Sequence, residues 1–326
     1  MKRIYGCAVI VTYRCNGHCT MCQRWAHPLM EREEFAPELI ERLPPVRFAN
    51  ITGGEPFLRG DIGEIIERLY TKAERIVVST NGSNFKRMAE CCAQHPDLGV
   101  RISIEGRQDT NRAIRGSLVP TEAVFCELEE LKQMGCTDLG ISMTISDANY
   151  MDALEMFERA EALGVQMATG VPHNSFFFAS SGAEIEYKAE VTRAIGDLAD
   201  AMMASRNPKN WARAYFTRHL IERVNGDPAP IPCGCGETFF ALQPDGTIIP
   251  CLGSEEPIIL GNLREQSFDA IWNGADGKRK RDHLRRCTRN CWMSGPVGGD
   301  MRAHAAEPLL WIAKEKALGR AHGQGM

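Results

Sequence analysis

Six short apolar runs, at 7–12, 47–52, 75–80, 100–105, 139–145 and 166–171, punctuate the first half of the chain. Amphipathic, helix-like stretches lie between them, near 37–43, 61–73, 84–94, 120–134 and 150–163. Parallel strands need a crossover of many residues, usually a helix. The alternation therefore confines this part of the chain to βαβ units around a parallel sheet, an α/β fold. Helix-start signals agree: Thr121 precedes Glu122, and Asp147-Ala148-Asn149 precedes Tyr150. Six units are too few for a closed eight-unit barrel. Polar or special residues gather at the same end of every run: the cysteine loop after the first, Gly53 to Pro56 after the second, Ser79 to Gly82 at the third, Glu105-Gly106, Ser142 and Thr144, and Pro172 to Ser175. Such a collection is hard to explain as core.

Composition narrows the setting. The chain has 326 residues, 44% of them hydrophobic, and can bury a sizeable core. It carries 13 cysteines, which an oxidising compartment would scramble, so a reducing cytoplasm is expected. The N-terminal apolar run is only about seven residues long before Tyr13-Arg14, too short to span a bilayer and without a cleavage pattern. No membrane segment is expected. The net charge of −4 does not suggest a nucleic-acid surface, and the basic block at 278–286 reads as a solvated helix face.

Cys15, Cys19 and Cys22 follow the first run in the pattern C-x3-C-x2-C. Three thiolates can hold three irons of a 4Fe–4S cluster and leave the fourth open to a small molecule, whereas a cluster used only for electron transfer has four protein ligands. A zinc site or buried thiols are the plainer alternatives. Thr52-Gly53-Gly54-Glu55-Pro56 follows the second run. Together the two motifs resemble those of the radical S-adenosylmethionine superfamily. The resemblance implies an open, partial (β/α)6 barrel with its site at the C-terminal ends of the strands. It implies a 4Fe–4S cluster, S-adenosylmethionine on the open iron, and reductive cleavage to methionine and a 5′-deoxyadenosyl radical. An external electron donor of ferredoxin or flavodoxin type is implied too.

Carried onto this chain, the resemblance places the S-adenosylmethionine amino group against Gly53, Gly54, Glu55 and Pro56, with Glu55 fixing the turn. Ser79, Asn81 and Ser103 fall where the family contacts the ribose or methionine. Arg115 resembles an arginine that pairs with the methionine carboxylate, a task for which its planar fork is suited. Met21 stands where the family often has an aromatic residue near the adenine, and its thioether can still cover a ring face. His173, Asn174 and Glu105, at the ends of the sixth and fourth runs, are the candidate catalytic residues. Phe176 to Phe178 read as pocket lining or as packing.

A second cysteine set lies beyond a stiff Pro-rich linker at 227–232. A strand, a tight Asp245-Gly246 turn and another strand bring Cys251 back beside Cys233. Phe268 to Asn273 and Cys287-x3-Cys291 follow. This resembles the SPASM/Twitch extension of radical S-adenosylmethionine enzymes. With five cysteines, one auxiliary 4Fe–4S cluster is expected, held by Cys233, Cys251, Cys287 and Cys291, with Cys235 as spare or substitute. Four thiolates would suit zinc equally. The expected organisation is a barrel domain with C-terminal helices at 1–226, the linker, a cysteine-rich hairpin/helix domain at 233–295, and a tail at 296–326 with a helix near 307–318. Cys7, Cys91, Cys92, Cys126 and Cys136 read as buried small apolar residues.

The expected activity is hydrogen abstraction from a small metabolite, giving oxidation, decarboxylation or rearrangement, with the auxiliary cluster passing an electron or binding substrate. Peptide modification is the alternative. A chain that begins directly at the first strand favours a metabolite, or a peptide delivered by a partner. An ending in Gly323-Gln324-Gly325-Met326, without a Gly-Gly tail, disfavours the molybdenum-cofactor cyclase. A zinc-stabilised binding protein and a pure electron carrier are the readings from other classes.

Overall fold

A computed structural model describes residues 4–116, 118–180, 182 and 184–323. The sheet runs in the order β6-β5-β4-β3-β2-β1-β7-β8-β9. Its first six strands in sequence are Gly6–Thr12 (β1), Val46–Gly53 (β2), Ala73–Thr80 (β3), Gly99–Ser103 (β4), Leu139–Thr144 (β5) and Gln166–Gly170 (β6), all parallel to their neighbours. They coincide with the six apolar runs to within a residue or two. Phe239–Leu242 (β7) pairs parallel to β1, and Thr247–Ile249 (β8) and Gly261–Asn262 (β9) continue antiparallel. The cysteine-rich hairpin is thus an extension of the barrel sheet rather than a sheet of its own.

The crossovers are Ile62–Tyr70 (α1), Phe85–Gln94 (α2), Gln108–Arg115 (α3), Thr121–Gln133 (α4) and Ala153–Leu163 (α5). The stretch near 37–43 is a 3-10 helix, Pro37–Arg42. Helix α3 escapes sequence reading because Ile114 is its single large apolar residue, too few for a periodic stripe. Three helices follow β6, Lys188–Ala204 (α6), Pro208–Arg218 (α7) and Leu220–Asn225 (α8), and four more close the chain: Phe268–Asn273 (α9), Ala275–Leu284 (α10), Ser294–Ala303 (α11) and Ala306–Gly323 (α12). Helix α11, which the Gly-rich composition of the tail conceals, packs against both β1 and β6 and so bridges the open side of the barrel.

Strand alternation separates two environments. Val9, Val11, Ile51, Val78, Ile102 and Ile141 turn outward and pack beneath the helices in the main core. Ala8, Asn50, Thr52, Ser79, Ser103, Ser142, Thr144, Ala168 and Gly170 line a cavity on the other face. A closed barrel fills its centre with branched apolar side chains; here small and polar ones leave room. Cys7, Cys91, Cys92 and Cys136 are buried as expected, but Cys126 is exposed, because it lies on the outer face of α4.

Candidate active site

The cysteine loop leaves β1 at Thr12 and is anchored before it begins. Glu34, buried beneath it, accepts from the Thr12 hydroxyl and from Arg14 (Nη2 to Oε2, 2.9 Å). Buried Arg59 donates to the Val11 carbonyl (3.0 Å) and the Phe35 carbonyl (2.8 Å) and pairs with Asp61. The far side of the loop is held by Thr20 N donating to Ile114 O (2.9 Å) and Gln23 N to Phe178 O (2.9 Å).

The two glycines after β2 are demanded by this anchoring. Gly54 N donates to Thr12 O (2.8 Å) and Glu55 N to Arg14 O (2.9 Å). A Cβ on Gly53 would lie 2.1 Å from Thr12 O, and one on Gly54 would lie 2.1 Å from Arg14 O. Gly53 also has φ of +140°, which L side chains rarely adopt. The space that glycine provides here is therefore filled by the chain entering the cysteine loop, while both residues still border the cavity. Glu55 and Pro56 do not line it. The Glu55 carboxylate is buried and accepts from Asn81 N (2.6 Å), Thr80 Oγ1 (2.7 Å) and Phe57 N (3.1 Å), stapling the end of β2 to that of β3. Burial raises its pKa, and these three donors oppose the rise.

The cavity, of about 320 Å³, collects Cys15, Cys19, Cys22, Met21, Gly53, Gly54, Ser79, Asn81, Ser103, Glu105, Arg115 and His173. Burial raises the pKa of all three thiols, so a positive group such as cluster iron is needed to hold them as thiolates. Gly17 N donates to Cys15 Sγ (3.3 Å). Asn81 Nδ2 donates to Asn16 Oδ1 (2.8 Å), tying the β3 end to the cysteine loop. Glu105 is buried, accepts from Thr144 N (2.8 Å) and pairs with Arg115 (3.3 Å). Its pKa is pushed up to about 7 by burial, against the pull of Arg115. Asn174 is not in the cavity wall; its carbonyl accepts from Arg289 (3.0 Å).

His173 is 5% exposed, and neither ring nitrogen has a partner in hydrogen-bond geometry, its contact with the Asn174 backbone included. Burial pushes its pKa down to about 4, with Arg223 and Arg289 adding to the effect. A Cβ on Gly253 would sit 2.6 Å from Cys291 Sγ and 3.5 Å from His173 Cε1. The imidazole thus stands where the cavity meets the second cysteine set, and Cys291 itself lines the cavity. Residues that sequence reading passed over also border it: Asn50, Trp25, Thr169, Trp292 and Met293. Asn50 and Thr169 carry a signal, being polar residues on inward positions of apolar strands. Phe177 and Phe178 line the cavity as well.

In the second set, Cys235 is central: its thiol contacts those of Cys233 and Cys251. These contacts hold Cys251 down at about 6 and lower Cys233, while Cys235 is raised. Cys291 lies beside Gly253 and is pushed up to about 11 by burial. Cys287 is exposed and acts on Cys291 through charge alone. No three Cys, His, Asp or Glu side chains among the described residues are gathered as around one metal ion. The donor chemistry, thiols only, suits iron–sulfur.

Two family models match the chain. Residues 9–160 match the Radical SAM superfamily, and residues 233–292 match the SPASM iron-sulfur cluster-binding domain. The chain is a radical S-adenosylmethionine protein with a SPASM-type extension, a class that uses a 4Fe–4S cluster with S-adenosylmethionine and auxiliary iron–sulfur. It is 24% identical to the Fe-coproporphyrin III synthase of Methanosarcina barkeri, over 94% of this chain and 87% of that one. It is 26% identical to the mycofactocin maturase MftC of Mycolicibacterium smegmatis, over 82% and 69%. The crystal structure of Streptococcus suis SuiB shares the fold, with a TM-score of 0.66 at 14% identity over 89% and 73%.

Proposed function

We propose that this enzyme abstracts a hydrogen atom from an uncharged, largely apolar group of a small organic substrate. The observation that carries the reading is the charge balance of the cavity. Its charged lining residues are Arg24, Glu105 and Arg115, and each is engaged. Arg24 donates to the carbonyls of Phe176 and Phe177 and lies 4.3 Å over the Tyr13 ring, and Glu105 pairs with Arg115. A charged substrate group would enter without a partner and lose its hydration. Phe177, Phe178, Leu252, Trp292 and Met293 offer an apolar wall instead.

Cys15, Cys19 and Cys22 would hold the first cluster, and when bound it supplies with S-adenosylmethionine one electron and a 5′-deoxyadenosyl radical. Around it, Gly53 and Gly54 offer backbone groups, Ser79, Asn81 and Ser103 polar contacts, and Met21 a thioether face. Arg115 keeps donors beyond its bond to Glu105 and would bind the methionine carboxylate of S-adenosylmethionine, which leaves it no donor for a charged substrate. His173 would hydrogen-bond the substrate at the far wall, its unpartnered nitrogens being the support for this. Cys233, Cys235, Cys251 and Cys291, with Cys287 in reserve, would hold the auxiliary cluster beside the substrate. Free thiols throughout the described chain, and no described helix long and apolar enough to cross a membrane, fit a reducing cytoplasmic setting with an external one-electron donor.

A peptide side chain could fill the same wall, and SuiB has been crystallised with its precursor peptide SuiA. The test is one panel: reduced enzyme with S-adenosylmethionine and neutral, anionic and cationic metabolites or peptides, scored by stimulated 5′-deoxyadenosine release. Stimulation by neutral apolar compounds is expected; stimulation confined to charged ones refutes the reading.

A further inference from the structure

Arg223, on α8, is a partly buried guanidinium without a counter-ion. Among the described residues it makes no hydrogen bond or ion pair, and its Nε is sealed from solvent with no acceptor. The adjacent Glu222 carboxylate is turned to His219 (3.0 Å), and Arg289 is paired with Glu255 (2.7 Å). An unpaired charge partly withdrawn from water is costly, so the position favours a nearby negative charge.

Arg223 is close enough to Cys291 and to His173 for its charge to be felt at both. The side chains on either side of that cysteine are fastened to the residues flanking α8: Asn290 Nδ2 donates to Asp227 O (2.9 Å), and Trp292 Nε1 donates to Phe216 O (2.8 Å). Trp292 stacks on Phe216 at 5.7 Å between ring centroids. These bonds straddle Arg223 in sequence and fix Cys291 beside the segment that carries it. Cys291 is also the one group whose charge favours the ionised guanidinium, while burial and Arg289 oppose it. An arginine keeps its charge in such a place.

We propose that Arg223 is a fixed counter-charge for the auxiliary cluster and raises its one-electron reduction potential. A thiolate-ligated cluster is anionic and gains one more negative charge on reduction. A permanent cation beside one of its sulfurs therefore favours the reduced state, as outer-shell groups do at other metal centres. The proposal rests on the assignment of an iron–sulfur cluster to Cys233–Cys291 made above. Arg223 does not line the cavity, so this is a tuning role through Cys291 and not a contact with substrate.

The experiment uses the full chain with Cys15, Cys19 and Cys22 changed to Ala, reconstituted with iron and sulfide, so that only the auxiliary cluster is read. Its midpoint is followed by electron paramagnetic resonance during a redox titration, with and without Arg223→Gln or Arg223→Lys. Arg223→Gln should lower the reduced-to-oxidised ratio at fixed potential about tenfold, which for one electron is about 59 mV toward the negative. Arg223→Lys, which keeps the charge, should stay near the parent. An unchanged midpoint in the glutamine variant overturns the proposal, as does an equal shift in both variants, which would implicate shape rather than charge. If the glutamine variant does not take up the cluster, the lysine variant decides alone: a parent-like midpoint supports the proposal and a tenfold departure sinks it. A parent that binds no iron–sulfur at all refutes the cluster assignment itself, a failure visible before Arg223 is touched.

Discussion

Cys15, Cys19 and Cys22 lie on one short loop after β1, whereas Cys233, Cys235, Cys251, Cys287 and Cys291 come from separate segments across 233–291. The first set is local in sequence and still depends on distant residues: Glu34, Arg59, Ile114 and Phe178 hold the loop in place. The second set is assembled by topology. β7 joins the edge of the barrel sheet beside β1, the Asp245-Gly246 turn returns the chain, and Asn290 and Trp292 pin the last segment to Asp227 and Phe216. A local loop closes at little entropic cost, while ligands far apart in sequence need the fold to bring them together. The first set should therefore fail only in chemistry when its thiols are removed, and the second should fail in structure as well.

The largest expected effect breaks the comparison at its local end. Changing Cys15, Cys19 and Cys22 together to Ala should abolish 5′-deoxyadenosine formation while the iron–sulfur absorbance of the second set survives; formation that persists would refute the assignment. Next, Cys251→Ala should remove the auxiliary cluster, abolish substrate turnover and lower the thermal midpoint, yet leave slow substrate-free release of 5′-deoxyadenosine. Within that set, Cys235→Ser should cost more auxiliary iron than Cys287→Ser, given the central thiol and the exposed one; the reverse order would restore Cys287 as the stronger ligand.

Gly54→Ala probes the anchoring directly. Its Cβ would meet Arg14 O at 2.1 Å, so a loss of about 3 kcal/mol in denaturant unfolding is expected, at the upper end of overpacking costs. An alanine variant of parental stability would show that the β2 end is free to move. The smallest effect concerns Glu127, which backs the Gly82 turn with a buried, unpartnered Oε2. Burial and Glu130 push its pKa from 4.5 up to about 7. A carboxyl raised on folding contributes stability below its unfolded pKa and loses it as pH rises through the folded one. Thermal midpoints should thus decline between pH 4.5 and 7, and Glu127→Gln should flatten that slope; an unaltered slope would assign it elsewhere.

Much of this was legible along the chain. The six strands were readable because each buried run is continuous and bounded by turn residues. The cysteine triad and Gly53-Gly54-Glu55-Pro56 were readable as motifs because each is a short run of unusual residues at close spacing. Less visible were α3, with one large apolar residue, and α11, rich in glycine. The role of Gly53 and Gly54 in admitting the backbone of Thr12 and Arg14 was equally hidden, since a close approach between strands leaves no mark on either strand alone.

The residues by themselves determined the parallel sheet, the three closely spaced thiols after its first strand and a second set of cysteines beyond the linker, because periodicity and short-range spacing are local properties. Tertiary structure alone decided that Cys291 and His173 meet at the cavity wall, that Asn174 turns away, that Cys235 sits at the centre of its set, and that Arg223 Nε is buried without an acceptor. Each of those depends on which distant segments pack together, and that is settled by burial and hydrogen bonding across the whole fold.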